Sequence, residues 1–238
     1  SETPPIFRTA LSKTGEDTFS GPLYFDIDCS DIDEAIHAFQ TLLGKLEALG
    51  LDLASVRLFA SGGRGFHAEI PAACFMTSPG PVEGLPRLFK SMALGVFVDG
   101  LDLRVYSGGC GRLWRVPNVR RDNGAYKVPV TLDEVRVMTP QSYAKLCSSP
   151  RPFHALTEPS YCAGLAALFV RARDKAAAKT SRARKWSAAE SALRDRFSGD
   201  CPPSVQGVLQ GRVPSPLGFN QLALQLVLLA HALGWSHG

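Results

Sequence analysis

Leu23-Tyr24-Phe25-Asp26-Ile27-Asp28 is the stretch on which the fold turns. Its aromatic and β-branched content reads as a strand. Ser30 or Asp31 then caps a helix that carries Asp33 and Glu34 in its first turn. Ile32, Ile36, Phe39, Leu43 and Leu46 recur at helical spacing, and Gly50 ends the helix. Ser55 to Ala60 reads as a second strand, Ser61-Gly62-Gly63-Arg64-Gly65 as a tight turn, and Phe66 to Ile70 as a third strand. A helix over Val82 to Leu94 follows, with Pro86 inside it. Leu101 to Tyr106, Leu113 to Val116 and Tyr126 to Val130 read as strands, and Asp122-Asn123-Gly124 predicts a hairpin between the last two. The order predicts an α+β fold, a sheet with helices on one side.

Outward from this centre, residues 1–20 read as a loose leader, and a domain boundary is expected near residue 155. From Tyr161 to Phe197 the chain is Ala-rich, with no Gly after Gly164 and no Pro, so it reads as one long helix or two joined ones. Pro202-Pro203, a short helix over Ser204 to Leu209 and a last helix over Asn220 to Leu233 complete a helical domain over 156–238. The 238 residues, 45% hydrophobic, suffice for a real core and argue against wholesale disorder.

No run reaches the roughly 18 apolar residues of a membrane span. The first 18 residues carry no apolar core of a secretory signal. The expected place is therefore the cytoplasm, with six cysteines as free thiols. None form C-x-x-C pairs, so no zinc is expected. The chain lacks an initiator Met and reads as an excised fragment. Charge is uneven: residues 1–159 hold 16 Lys and Arg against 18 Asp and Glu, while residues 160–238 hold 10 against 4. A basic helical tail suits a polyanionic partner, and equally a solvated basic face.

Asp26 and Asp28 stand two apart on a strand and so share a face. Like charges side by side are tolerated at an edge, in solvent or around hard cations. Ser61-Gly62-Gly63-Arg64-Gly65-Phe66-His67 carries three glycines in four positions, which predicts backbone N–H groups turned toward an anion, with Arg64 as a phosphate donor. A strand rather than a helix follows, so this is no dinucleotide fingerprint. Asp102 begins a predicted strand and is the expected third carboxylate, while Asp99, before Gly100, reads as a turn residue. Four arginines crowd Arg112 to Arg121, either a solvated basic edge or an anion site.

The ordered set of strand-Asp-x-Asp, Ser-x-x-Arg-Gly-x-His, Asp-x-x-Val-Tyr and Arg-Leu-x-Arg-x-Pro-Asn resembles the archaeo-eukaryotic primase superfamily over residues 20–145. The resemblance implies an RRM-like, primase-type catalytic sheet. It implies that Asp26, Asp28 and Asp102 bind two divalent ions, Mg²⁺ or Mn²⁺. It also implies that Ser61, Arg64 and His67 contact the incoming nucleoside triphosphate, as would Arg115 and Arg121. Arg121 is a departure, because His is frequent there. Pro202-Pro203-Ser204-Val205 with Gly218-Phe219-Asn220 is similar to the small helical domain of primase C-termini, with Ser204 and Phe219 replacing the usual Cys and Arg. Cysteine spacing fits no iron–sulfur cluster.

The implied activity is primer synthesis on single-stranded DNA by two-metal nucleotidyl transfer, serving a chromosome, plasmid or phage, with a helicase or other replication protein as partner. Arg171, Arg173, Lys179, Arg182 and Lys185 of the basic helix are the expected nucleic-acid contacts. The rival expectations are a gap-filling repair polymerase of the same superfamily and a non-catalytic single-strand-binding accessory.

Overall fold

The computed structural model describes residues 6–107 and 113–196, with side chains given to residue 181. Arg112, the cysteines at 110 and 201, the side chains of Arg182 and Lys185, and the helices expected after residue 200 lie outside the described residues.

The leader is not loose from residue 6 onward. Strands β1 (Phe7–Thr9), β2 (Ser12–Lys13) and β3 (Thr18–Ser20) form there. Each pairs antiparallel with a partner, some of them far along the chain, which the local pattern could not reveal. Strand β4 (Leu23–Asp28) and helix α1 (Ile32–Ala48) fall where the periodicity puts them, and Asp31 is the cap, accepting from the Asp33 N–H. Strands β5 (Arg57–Ala60) and β6 (Gly65–Ile70) flank the glycine turn. Residues Val82–Glu83, expected to be helical, form strand β7, and helix α2 (Leu85–Gly95) starts so that Pro86 lies in its first turn, where a missing N–H costs nothing.

The expected meander does not form. Residues Leu103–Tyr106 make a 3-10 turn rather than a strand, because Asp102 caps it by accepting from the Arg104 N–H. Strands β8 (Leu113–Arg115) and β9 (Val128–Val130) belong to different sheets. The turn before Gly124 exists, with a Gly124 N–H to Arg121 O bond of 2.9 Å. The turn closes a short hairpin that pairs Arg120 with Tyr126, while β8 pairs with β1 and β9 with β5, so the longer strands on its two sides enter different sheets. Helices α3 (Leu132–Arg136) and α4 (Pro140–Leu146) follow, each opened by a capping box. A single helix α5 (Ala163–Arg196) then runs 34 residues.

The main sheet has order β4-β6-β5-β9 and is antiparallel throughout, so the fold is mixed α+β. One face carries Phe25, Ile27, Leu58, Ala60, Phe66 and Ala68 into the core, where Phe66 stacks on Phe39 of α1 at 4.6 Å. Strand alternation puts Tyr24, Asp26, Asp28, Phe59, His67 and Glu69 on the opposite face. The chain divides into two compact units, residues 1–176 and 177–238. The first unit runs past the boundary expected near residue 155, because Cys162, Leu165, Ala166, Phe169 and Ala172 are buried in its core.

Candidate active site

The register sets Asp26 directly opposite His67 and Asp28 opposite Gly65. His67 Nε2 lies 3.4 Å from Asp26 Oδ1. Burial, then the charges of Lys127, Arg121 and Arg8, hold the His67 imidazole well below its ordinary value. It is therefore neutral at pH 7, and its contact with Asp26 is polar rather than an ion pair.

Asp102 reaches this corner through the edge of β4. The Asp28 N–H bonds Gly100 O and the Asp102 N–H bonds Asp26 O, both at 2.9 Å. Gly100 has φ +84°, and a Cβ there would sit 2.3 Å from Cys29 Sγ, so only glycine lets the chain pass this close. Asp99 is exposed beside that glycine, on a turn. The 3-10 turn is then pinned to the sheet: the Tyr24 hydroxyl donates to Val105 O and the Tyr106 hydroxyl to Tyr24 O.

Arg104 pairs with Asp102. Its Nε lies 2.9 Å from Asp102 Oδ1. Its guanidinium is pushed up by the hydrogen bond and charge of Asp102, and further by Asp28 and Asp26. The corner thus attracts a cation. Among the described residues no three His, Cys, Asp or Glu side chains stand as a ready cage for a metal. Mg²⁺ needs only one or two carboxylates with waters and substrate phosphates, and the Asp26 and Asp28 oxygens fit that demand. Asp102 fits it once Arg104 gives up its carboxylate.

The glycine turn is built differently from expectation. Three of its N–H groups bond within the protein: Ser61 N–H to Gly65 O at 2.9 Å, Gly62 N–H to the Tyr143 hydroxyl at 3.2 Å and Gly63 N–H to Ser61 Oγ at 3.2 Å. Tyr143 itself donates to Gly65 O at 2.9 Å, so one buried phenol of α4 holds both ends of the turn. Arg121 donates to Ser61 O at 2.8 Å, and Arg64 stands exposed on the turn. The expected donors Arg64 and Arg121 therefore flank the turn, while Ser61 serves its backbone.

A ribbon of β1 and β8 covers the same sheet face. Trp114 of β8 stacks on His67 at 4.2 Å, and its cross-strand partner Arg8 pairs with Glu69. Arg115 points away from this layer by strand alternation, and its guanidinium lies 4.8 Å over the Phe7 ring. The structure does not bring Arg115 to the carboxylates.

Lys127 was not singled out by sequence. It is fully buried, with its Nζ 4.6 Å over Phe59 and 4.8 Å over Trp114. Burial lowers it from 10.5 to about 7, against the opposing pull of Glu69. His67 Nδ1, Glu69 Oε2, Trp114 Nε1 and Lys127 Nζ are all buried without a hydrogen-bond partner among the described residues. The only signal in the sequence is a lysine directly before the apolar Val128-Pro129-Val130. Arg171, Arg173 and Lys179 are exposed on α5.

No known protein-family model matches the chain. A search of curated proteins finds no significant match either.

Proposed function

We propose that the chain is a primase-polymerase of the archaeo-eukaryotic type, making primers on single-stranded DNA. The observation that supports it most is that Asp26 and Asp28 share one face of β4, while the Asp102 N–H bonds Asp26 O and so ties the third carboxylate to the same strand edge. His67 beside Asp26 adds to it. On this reading the α+β unit is the primase-type catalytic sheet, and the chain beyond it the helical domain. Two divalent ions bound there, Mg²⁺ or Mn²⁺, would stabilise the attacking 3′-oxygen and the departing pyrophosphate.

The chain's own residues do the rest. Asp26 and Asp28 present oxygens on one face, and Asp102 swings from Arg104 to join them. The released Arg104, 75% exposed, turns its positive charge toward the phosphates. His67, neutral, orients the Asp26 carboxylate and stands next to the triphosphate. Arg64 and Arg121, at the glycine turn, add charge-assisted hydrogen bonds. Arg171, Arg173 and Lys179 supply a salt-sensitive grip on template.

The test is incubation with single-stranded template, nucleoside triphosphates and Mg²⁺ or Mn²⁺. New chains of defined length are the expected product. Extension of a supplied primer without initiation would favour the gap-filling polymerase. Strand binding with no synthesis under either metal would overturn the enzyme.

A further inference from the structure

A cavity of about 820 Å³ opens between β5, β9 and the segment 153–156. It is off the carboxylate corner, and none of Asp26, Asp28 or Asp102 lines it. Its volume suits a small organic molecule. Phe59 and Phe153 form an apolar corner, set edge to face at 6.3 Å.

Two residues of its wall each carry a buried polar atom with no hydrogen bond among the described residues, Glu69 Oε2 and His154 Nε2. Glu69 is 3% exposed. Its Oε1 is taken by Arg8, while Oε2 has only the Arg57 guanidinium, 3.9 Å away. Such orphaned groups are uncommon, because each costs its full desolvation without return. Arg57 sits in the same wall with 58% of its side chain exposed.

A ligand that satisfies all of this carries an N–H donor for Glu69, a flat ring for the two phenylalanines and an anion for Arg57. We propose that this cavity is a second nucleotide site, for an amine-bearing base with its phosphate. The inference stands apart from the polymerase reading, since no metal enters it. The nucleotide can come free from solution or as an unpaired residue of a bound strand, and both offer the same chemistry.

The probes are dAMP, dGMP, dCMP and dTMP, ribose 5-phosphate and a short single-stranded oligonucleotide, titrated calorimetrically into the full chain in EDTA. Binding of the amine-bearing nucleotides is expected, with ribose 5-phosphate silent. Phe153→Ala should weaken it about tenfold, the scale of one lost base–aromatic stack. Ala155→Trp, which fills the cavity from an exposed wall position, should abolish it while the melting temperature holds. Tighter binding of the oligonucleotide than of free dAMP would identify the strand as the source, and the reverse a free nucleotide. Equal binding of ribose 5-phosphate would reduce the site to an anion contact and overturn the proposal. Binding lost in Asp26→Asn with Asp28→Asn but kept in Ala155→Trp would overturn it too, and would leave the polymerase reading intact. No binding of any probe overturns the second site alone.

Discussion

At the scale of the residue, a buried charge without a hydrogen-bond partner among the described residues is the clearest mark of the site. Lys127 is held at about 7 against 10.5 in the open chain. Between those values the unfolded chain binds the extra proton, so stability rises with pH through this window, and below about pH 7 the whole penalty is present. The penalty is on the order of 5 kcal/mol. Lys127→Met should therefore raise the urea midpoint at pH 7, and flatten the increase that the native chain shows from pH 7 to pH 9.5. A midpoint unchanged by the substitution would mean that Lys127 has a partner. Asp26→Asn with Asp28→Asn is expected to cut nucleotide incorporation roughly a thousandfold, the effect of losing several kcal/mol of charge stabilisation. Strand binding by gel shift should persist in that variant, and normal synthesis would remove the carboxylates from the chemistry. The Asp26–Asp28 face was legible because alternation along a strand is local. Lys127 was not, because its burial depends on Trp114 and Phe59, which reach it from other strands.

At the scale of the element, the glycine turn depends on a helix that follows it by some 80 residues. The Tyr143 hydroxyl donates to Gly65 O and accepts from Gly62 N–H. Its burial pushes it up to about 12, so it stays a neutral hydroxyl across the working range. Tyr143→Phe leaves two buried backbone groups short and should cost about 1–3 kcal/mol in urea unfolding. It should also raise the apparent KM for nucleotide, because Arg64 and Arg121 lose their fixed footing. A stability loss with unchanged KM would confine Tyr143 to packing. Ser61 to His67 gave away its position as a turn between strands, since glycine clusters have few other uses there. The satisfaction of its N–H groups by Ser61 Oγ and a distant tyrosine was hidden, as was the 3-10 turn that Asp102 caps. In both, a side chain captures backbone that a propensity count assigns elsewhere.

At the scale of the molecule, helix α5 anchors the first unit. A Cβ on Gly164 would lie 2.3 Å from Leu49 O, so the helix starts in close contact with the end of α1. The Cys162 N–H bonds Cys74 O at 2.7 Å. Cutting the chain at residue 159 removes Leu165 and Phe169 from the core, each worth roughly 1.5–3 kcal/mol. Residues 1–159 should therefore aggregate or melt well below the full chain, while residues 1–176 should fold. The longer piece is expected to extend a primer but to start new chains poorly, because the basic helix beyond it no longer helps assemble template and two nucleotides. Equal retention of both activities in 1–176 would refute that division. The α+β class was readable from the order of periodic segments. The three-sheet arrangement was not, since β1 with β8 and β3 with β7 join stretches that look unstructured when taken alone.

The pairing of Phe7 with Arg115 and of Thr9 with Leu113 also sets an order of events during synthesis. At about 5–20 residues per second, β1 leaves the ribosome roughly 5–20 seconds before its partner. During that interval Phe7 and the unpaired edge of β1 have nothing to bind. The sheet can begin to close over α1 in the meantime, but its other face, with His67, stays uncovered until Trp114 arrives. The nascent chain is then most vulnerable to aggregation at a defined length, shortly before residue 115 emerges, and chaperones would be expected to dwell there.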